Sequence, residues 1–138
     1  MKGNKGKILV VDDYANWRIF LEYVLRSEGH QVVSVSSSSE AEQKLLGESF
    51  DVVILDVRLV DEERYNVQGM ALLQRAKSLS PSPGAIILTG YHDPAYEEHA
   101  LRDYGADAYF QKVPNGEQPI VDALKRKVAE LVTRSRSL

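Results

Sequence analysis

The 138-residue sequence contains no cysteine, which excludes a disulfide framework, a thiolate nucleophile and a thiolate metal site. Histidine is scarce: His30, His92 and His99 are the whole set, and their separations match no metal-ligand spacing. Long apolar runs are missing as well. Behind the basic start Met-Lys-Gly-Asn-Lys-Gly-Lys, the run Ile8 to Val11 stops at two aspartates, so neither a signal peptide nor a membrane span is expected. A dominant charge is also lacking. The net charge of -3 argues against a surface built to hold nucleic acid. Together these absences point to a cytoplasmic protein with no membrane partner and no direct nucleic-acid contact.

What the chain has is a series of short apolar runs, each delivering polar residues at its end. Phe50-Asp-Val-Val-Ile-Leu-Asp56 is the central one. Four apolar residues, two Val and one Ile among them, are too few for a free-standing helix and read as a strand buried on both faces. Ile8 to Val11 repeats the pattern and ends on Asp12 and Asp13. Gln31 to Val35, Ala85 to Leu88 and Ala108 to Phe110 supply three more strands, the last two delivering Thr89 and Lys112.

Between them the apolar period becomes helical. Trp17, Phe20, Leu21, Val24 and Leu25 form one stripe, stopped by Gly29. Ser39 and Glu42 predict a capping box ahead of Ala41, Leu45 and Leu46. Met70, Leu73 and Ala76 mark a third helix, Pro94 to Tyr104 a weaker fourth closed by Gly105. Ile120 to Val132 marks a fifth, with Pro119 suited to its first turn. Five strands alternating with five helices, with no repeat or internal boundary, predict one α/β domain: residues 1–6 as a lead-in, 7–134 as the domain and 135–138 as a tail. The sheet is expected to be parallel and doubly wound, with ligands bound outside the carboxyl ends of its strands.

Asp12, Asp13, Asp56, Thr89 and Lys112 all fall at that rim. Carboxylates about 4 Å apart repel by roughly 4 kcal/mol per pair at an effective dielectric near 20, so the cluster calls for protons or a cation. Oxygen ligands without His or Cys suit Mg²⁺. Lysine and threonine on the same rim suit a phosphate's remaining oxygens. Of the three carboxylates, Asp56 is the better placed nucleophile toward phosphorus, since it ends the central strand.

Ile-Leu-Val-Val-Asp-Asp near the amino terminus, Asp56 after Val-Val-Ile-Leu, Thr89-Gly90 after Ile-Ile-Leu, and Gly105-Ala-Asp-Ala-Tyr-Phe-Gln-Lys112 together resemble the receiver domain of two-component response regulators, over about residues 7 to 132. That resemblance implies a flavodoxin-like fold with strand order 2-1-3-4-5. It implies Asp56 as phosphoacceptor, Asp12 and Asp13 with Asp56 and the Arg58 backbone carbonyl as Mg²⁺ ligands, Thr89 and Lys112 as the phosphoryl-binding pair, and Thr89 with Tyr109 as the switch. A histidine kinase or phosphotransfer protein is the expected donor. The expected output is a contact with a downstream protein through the face of the fourth helix, fifth strand and fifth helix, with a homodimer on phosphorylation as another outcome. The domain then catalyses only its own phosphorylation and dephosphorylation and is not otherwise an enzyme.

Two departures from the family's pattern stand out. The loop before Gly69 is about five residues longer than usual, with an acidic stretch at Asp61, Glu62 and Glu63. Lys112-Val113-Pro114 puts proline one residue late, which frees the Val113 amide. Arg58 and Tyr91, two residues after Asp56 and Thr89, are expected to slow water's access to the acyl phosphate; an unchanged dephosphorylation rate after both are replaced by Ala would sink that expectation. Two other functions are compatible with the same residues: a receiver-like binding module that is never phosphorylated, and a Mg²⁺-dependent phosphohydrolase with an aspartyl-phosphate intermediate. The latter lacks a second aspartate at position 58 and a cap domain. Trp17 is read as core, and Arg134 and Arg136 as a solvated helix end.

Overall fold

Side chains alternate across the three central strands and divide the core into two layers. The structure, a computed structural model, describes residues 5–56, 68–90, 94–112 and 118–136. Strands β1 (Lys7–Val11), β2 (Gln31–Val35), β3 (Val52–Leu55), β4 (Gly84–Thr89) and β5 (Ala108–Gln111) form one parallel sheet in the order 2-1-3-4-5. Leu9, Val11, Val53, Leu55, Ala85 and Ile87 face helices α2 (Ser38–Gly47) and α3 (Gln68–Lys77). Ile8, Val10, Val52, Ile54, Ile86 and Leu88 face α1 (Ala15–Ser27) and α5 (Gln118–Arg136). Being covered on both faces, these strands read as unbroken apolar runs. Each large side chain buried there contributes roughly 1.5 to 3 kcal/mol, so the rim they carry is firmly held.

The helices stop where local chemistry requires. Gly29 takes φ +95 after α1, and its amide bonds to the Arg26 carbonyl at 2.9 Å, a positive-φ ending that favours glycine. The cap of α2 differs from the Ser39–Glu42 expectation. Ser37 is the N-cap, its hydroxyl accepting from the Glu40 amide at 3.2 Å, while Glu40 accepts from the Ser36 amide at 3.0 Å. β2 ends at Val35, so the chain turns earlier in the serine run and Ser39 falls inside the helix. The helix predicted over 94–104 begins as α4 (Pro94–Glu98) and widens to a π-turn over His99–Asp103 that seats Ala100 in the core. No helix among the described residues is long and apolar enough to cross a membrane.

Candidate functional site

In this strand order the side on which successive strands are added switches between β1 and β3, and the carboxyl ends of those two parallel strands flank the crevice. Asp12 and Asp13 follow β1 and Asp56 follows β3. Their position is tied by the backbone: the Asp12 amide donates to the Val35 carbonyl at 3.1 Å and the Asp56 amide to the Val11 carbonyl at 3.0 Å. One carboxylate oxygen from each of the three aspartates lies within 4.8 Å of the others. Asp12 and Asp56 are buried at 2% and 4% exposure, whereas Asp13 faces solvent.

The remaining rim residues close on this cluster. Thr89 Oγ1, fully buried, donates to Asp56 Oδ1 at 2.8 Å. Lys112 Nζ lies 2.9 Å from Asp56 Oδ2 and 2.8 Å from Asp12 Oδ2, bridging two strands. Its own backbone amide is anchored to the Thr89 carbonyl at 2.7 Å. All five rim residues expected from the sequence therefore meet. Tyr109, one strand over, is half-buried and packs against the core layer under α2 and α3. Arg58, Tyr91, Val113 and Pro114, with the acidic stretch 61–63, lie outside the described residues.

Electrostatics follow from burial and crowding. Burial raises the Asp12 carboxyl above its ordinary value, outweighing the Lys112 ammonium beside it. Asp13 is raised by burial and then by the charge on Asp56. Burial opposes the charge on Lys112, but Asp56 and Asp12 overcome it and hold the ammonium more firmly protonated than usual. Three carboxylates against one ammonium leave excess negative charge in oxygen ligands alone, a donor set that fits a hard divalent cation.

Contact of aromatic rings with Lys112 was not expected from sequence. Lys112 Nζ lies 5.0 Å from the Trp17 ring centroid and 5.3 Å from that of Tyr14. Trp17, read as core, is partly buried against the layer under α1 and α5 and also reaches the site. Arg18 Nη1 donates to the Asp12 carbonyl at 2.7 Å. The helical spacing of positions 14, 17 and 18 just after the acidic pair was the available signal. Arg134 and Arg136 are likewise more than a solvated helix end, pairing with Asp107 at 3.1 Å and Asp51 at 2.9 Å.

Comparison with known proteins identifies the family and the fold. The family described as response regulator receiver domain matches residues 8–125. The hydrogenase transcriptional regulatory protein HoxA of Bradyrhizobium diazoefficiens is 32% identical over 124 residues, 90% of this chain and 24% of that protein. Response regulator ArlR of Staphylococcus saprophyticus is 31% identical over 106 residues, 77% of this chain and 45% of that one. The chain thus spans about a quarter to a half of these relatives' length. Among solved structures, a CheY-like receiver domain protein from Methanospirillum hungatei superposes with a TM-score of 0.77 at 29% identity, covering 95% of this chain and 99% of the other. The BeF3-activated DrrB receiver domain gives 0.76 at 25% identity, covering 94% and 99%. With the family matched over residues 8–125 and a relative 32% identical across 90% of the chain, the chain belongs to the receiver domains of two-component response regulators.

Proposed function

We propose that this domain accepts a phosphoryl group on Asp56 from a histidine kinase or phosphotransfer protein, with Mg²⁺, and thereby switches its contacts with a downstream protein. The observation that carries the reading is the convergence on Asp56: one oxygen held by Thr89, the other by Lys112, with Asp12 and Asp13 alongside. An Asp56 carboxylate oxygen attacks phosphorus as the bond to the donor's imidazole nitrogen breaks, giving an acyl phosphate. Asp12, Asp13 and Asp56, with the Arg58 carbonyl, would hold Mg²⁺, which supplies positive charge against the carboxylates and a phosphoryl oxygen. Lys112 balances charge on the transferred group, and Thr89 turns its hydroxyl from Asp56 to a phosphoryl oxygen.

Thr89 sits next to β5 in register with Gln111, and Tyr109 lies two residues earlier opposite Ile87. In this reading movement of Thr89 is followed by Tyr109 and by the α4–β5–α5 face, where a downstream protein or a second copy would read the change. The DrrB receiver is described in a BeF3-activated form, and the same phosphoryl mimic is expected to settle on Asp56. Water returning to the acyl phosphate resets the domain, which makes it a self-acting switch.

Intact mass after incubation with acetyl phosphate tests the reading. The expected result is a gain of one phosphoryl group that requires Mg²⁺ and vanishes in Asp56→Asn. If no adduct forms and beryllofluoride leaves the amide spectrum unchanged, a binding module independent of phosphorylation replaces it.

A further inference from the structure

Asp12 faces a conflict. Its Oδ1 accepts from the Tyr14 amide at 2.9 Å and its Oδ2 is bonded to Lys112 at 2.8 Å. For this carboxylate to turn Oδ2 toward a divalent cation, the ammonium must leave it. What holds the ammonium there is more than charge, because two aromatic rings flank it at 5.0 and 5.3 Å, within the range of cation–π attraction.

The two rings are not equivalent. Tyr14 is 64% exposed, so water competes with it for the ammonium. Trp17 is partly buried and braced edge-on by Phe20, with centroids 5.7 Å apart and planes at 88°. That bracing fixes the indole, so it acts as a wall that favours one position of Lys112 rather than following the side chain as it moves. Indole is also the strongest of the aromatic partners for a cation.

We infer that Trp17, assisted by Tyr14, is a positioning residue that latches Lys112 onto Asp12, making the lysine an internal counter-ion that Mg²⁺ must displace. The inference rests on Asp12 serving Mg²⁺ as proposed above. It assigns Trp17 a role in setting the cation threshold of the domain beyond its packing against Phe20. A ligand that must first release a stabilised state binds more weakly by the stability of that state.

The test titrates Mg²⁺ into the full chain and follows the backbone amide spectrum, which also reports folding, for wild type, Trp17→Leu, Trp17→Phe, Lys112→Met and the Trp17→Leu/Lys112→Met double variant. Trp17→Leu is expected to bind Mg²⁺ about three- to tenfold more tightly than wild type, the effect of losing one partly desolvated cation–π contact. Trp17→Phe, which keeps a ring against Phe20, is expected to fall between. In the Lys112→Met background the Trp17→Leu change is expected to have no effect, since there is no ammonium to latch. Equal affinities for wild type, Trp17→Leu and Trp17→Phe overturn the latch, as does a Trp17→Leu effect that persists without Lys112. An absence of Mg²⁺ binding in every chain, Lys112→Met included, overturns the proposed function itself and the latch with it, a pattern distinct from the other two.

Discussion

Asp51→Ala is expected to lower the unfolding free energy at pH 7 by about 3 kcal/mol, the sum of a stranded backbone amide and lost bonds to a charged acceptor. Asp51 Oδ2 accepts from the Lys7 amide at 2.8 Å and from Arg136 Nη2 at 2.9 Å, and Oδ1 accepts from the Ser135 hydroxyl at 2.8 Å. Its backbone joins the same junction, the Asp51 amide donating to the Lys7 carbonyl at 2.8 Å and the Gly84 amide to the Asp51 carbonyl at 2.9 Å. The carboxylate therefore ties the start of β1 to the last turn of α5, while the backbone of the same residue joins the starts of β3 and β4 to that junction. Arg136 is half-exposed and contributes little by itself; most of the loss comes from the Lys7 amide and the Ser135 hydroxyl.

The pH dependence of that loss has a definite sign. Burial pushes the Asp51 carboxyl up, but the Lys7 amide, Ser135 and Arg136 together outweigh it and hold it below its ordinary value of 3.8. A carboxylate with a depressed folded value adds stability above its unfolded value and loses it as pH falls through the folded one. Urea unfolding of wild type and Asp51→Ala should thus differ most near neutrality and converge below about pH 3.8. A difference under about 1 kcal/mol at pH 7, or one that ignores pH, would show that the clamp is incidental. Asp107 acts in the same sense: its oxygens take the Ala85 amide at 2.8 Å, Lys77 at 3.2 Å and Arg134 at 3.1 Å, and these bonds outweigh burial.

These clamps mark where sequence reading runs out. β1, β3 and β4 were legible because strands covered on both faces must be apolar at every position, so Ile8–Val11, Val52–Leu55 and Ala85–Leu88 stand out as runs. The rim was legible for the same reason, since a parallel sheet brings whatever follows each run to one edge and Asp12, Asp56, Thr89 and Lys112 follow four of them. By contrast, an aspartate just before a strand reads as a solvated turn. Only the tertiary fold brings Ser135 and Arg136 to Asp51. The cap of α2 was off by two residues because every serine from Ser36 to Ser39 is a competent cap, and the end of β2 decides among them. Local spacing puts Tyr14 and Trp17 just after the acidic pair, but their contact with Lys112, far along the chain, comes only with the tertiary fold.

At the opposite end of the sheet the balance between stability and function is expected to invert. Asp13→Asn should raise the Mg²⁺ concentration needed for phosphoryl incorporation by roughly 10- to 100-fold, at least what loss of a carboxylate around a metal costs, while the metal-free chain becomes more stable. Burial, and then the nearby charge of Asp56, raise the Asp13 carboxyl above its ordinary value of 3.8. For an acid with a raised folded value, stability is greatest when it is protonated and is lost as pH rises through that folded value. Ionised Asp13 thus works against folding at pH 7, and asparagine removes the repulsion while keeping the shape. Because Asp13 faces solvent, screening limits the gain to a few tenths of a kcal/mol up to about 1. Urea unfolding in chelator at pH 7 and pH 3.5, set beside mass-detected phosphorylation across a Mg²⁺ series, separates the two effects. The gain should appear at pH 7 and fade at pH 3.5, where the wild-type carboxyl is protonated. A variant that is less stable at pH 7 without metal would mean that Asp13 holds the α1 turn together, and that the excess charge at this rim is not a cost borne for binding a cation.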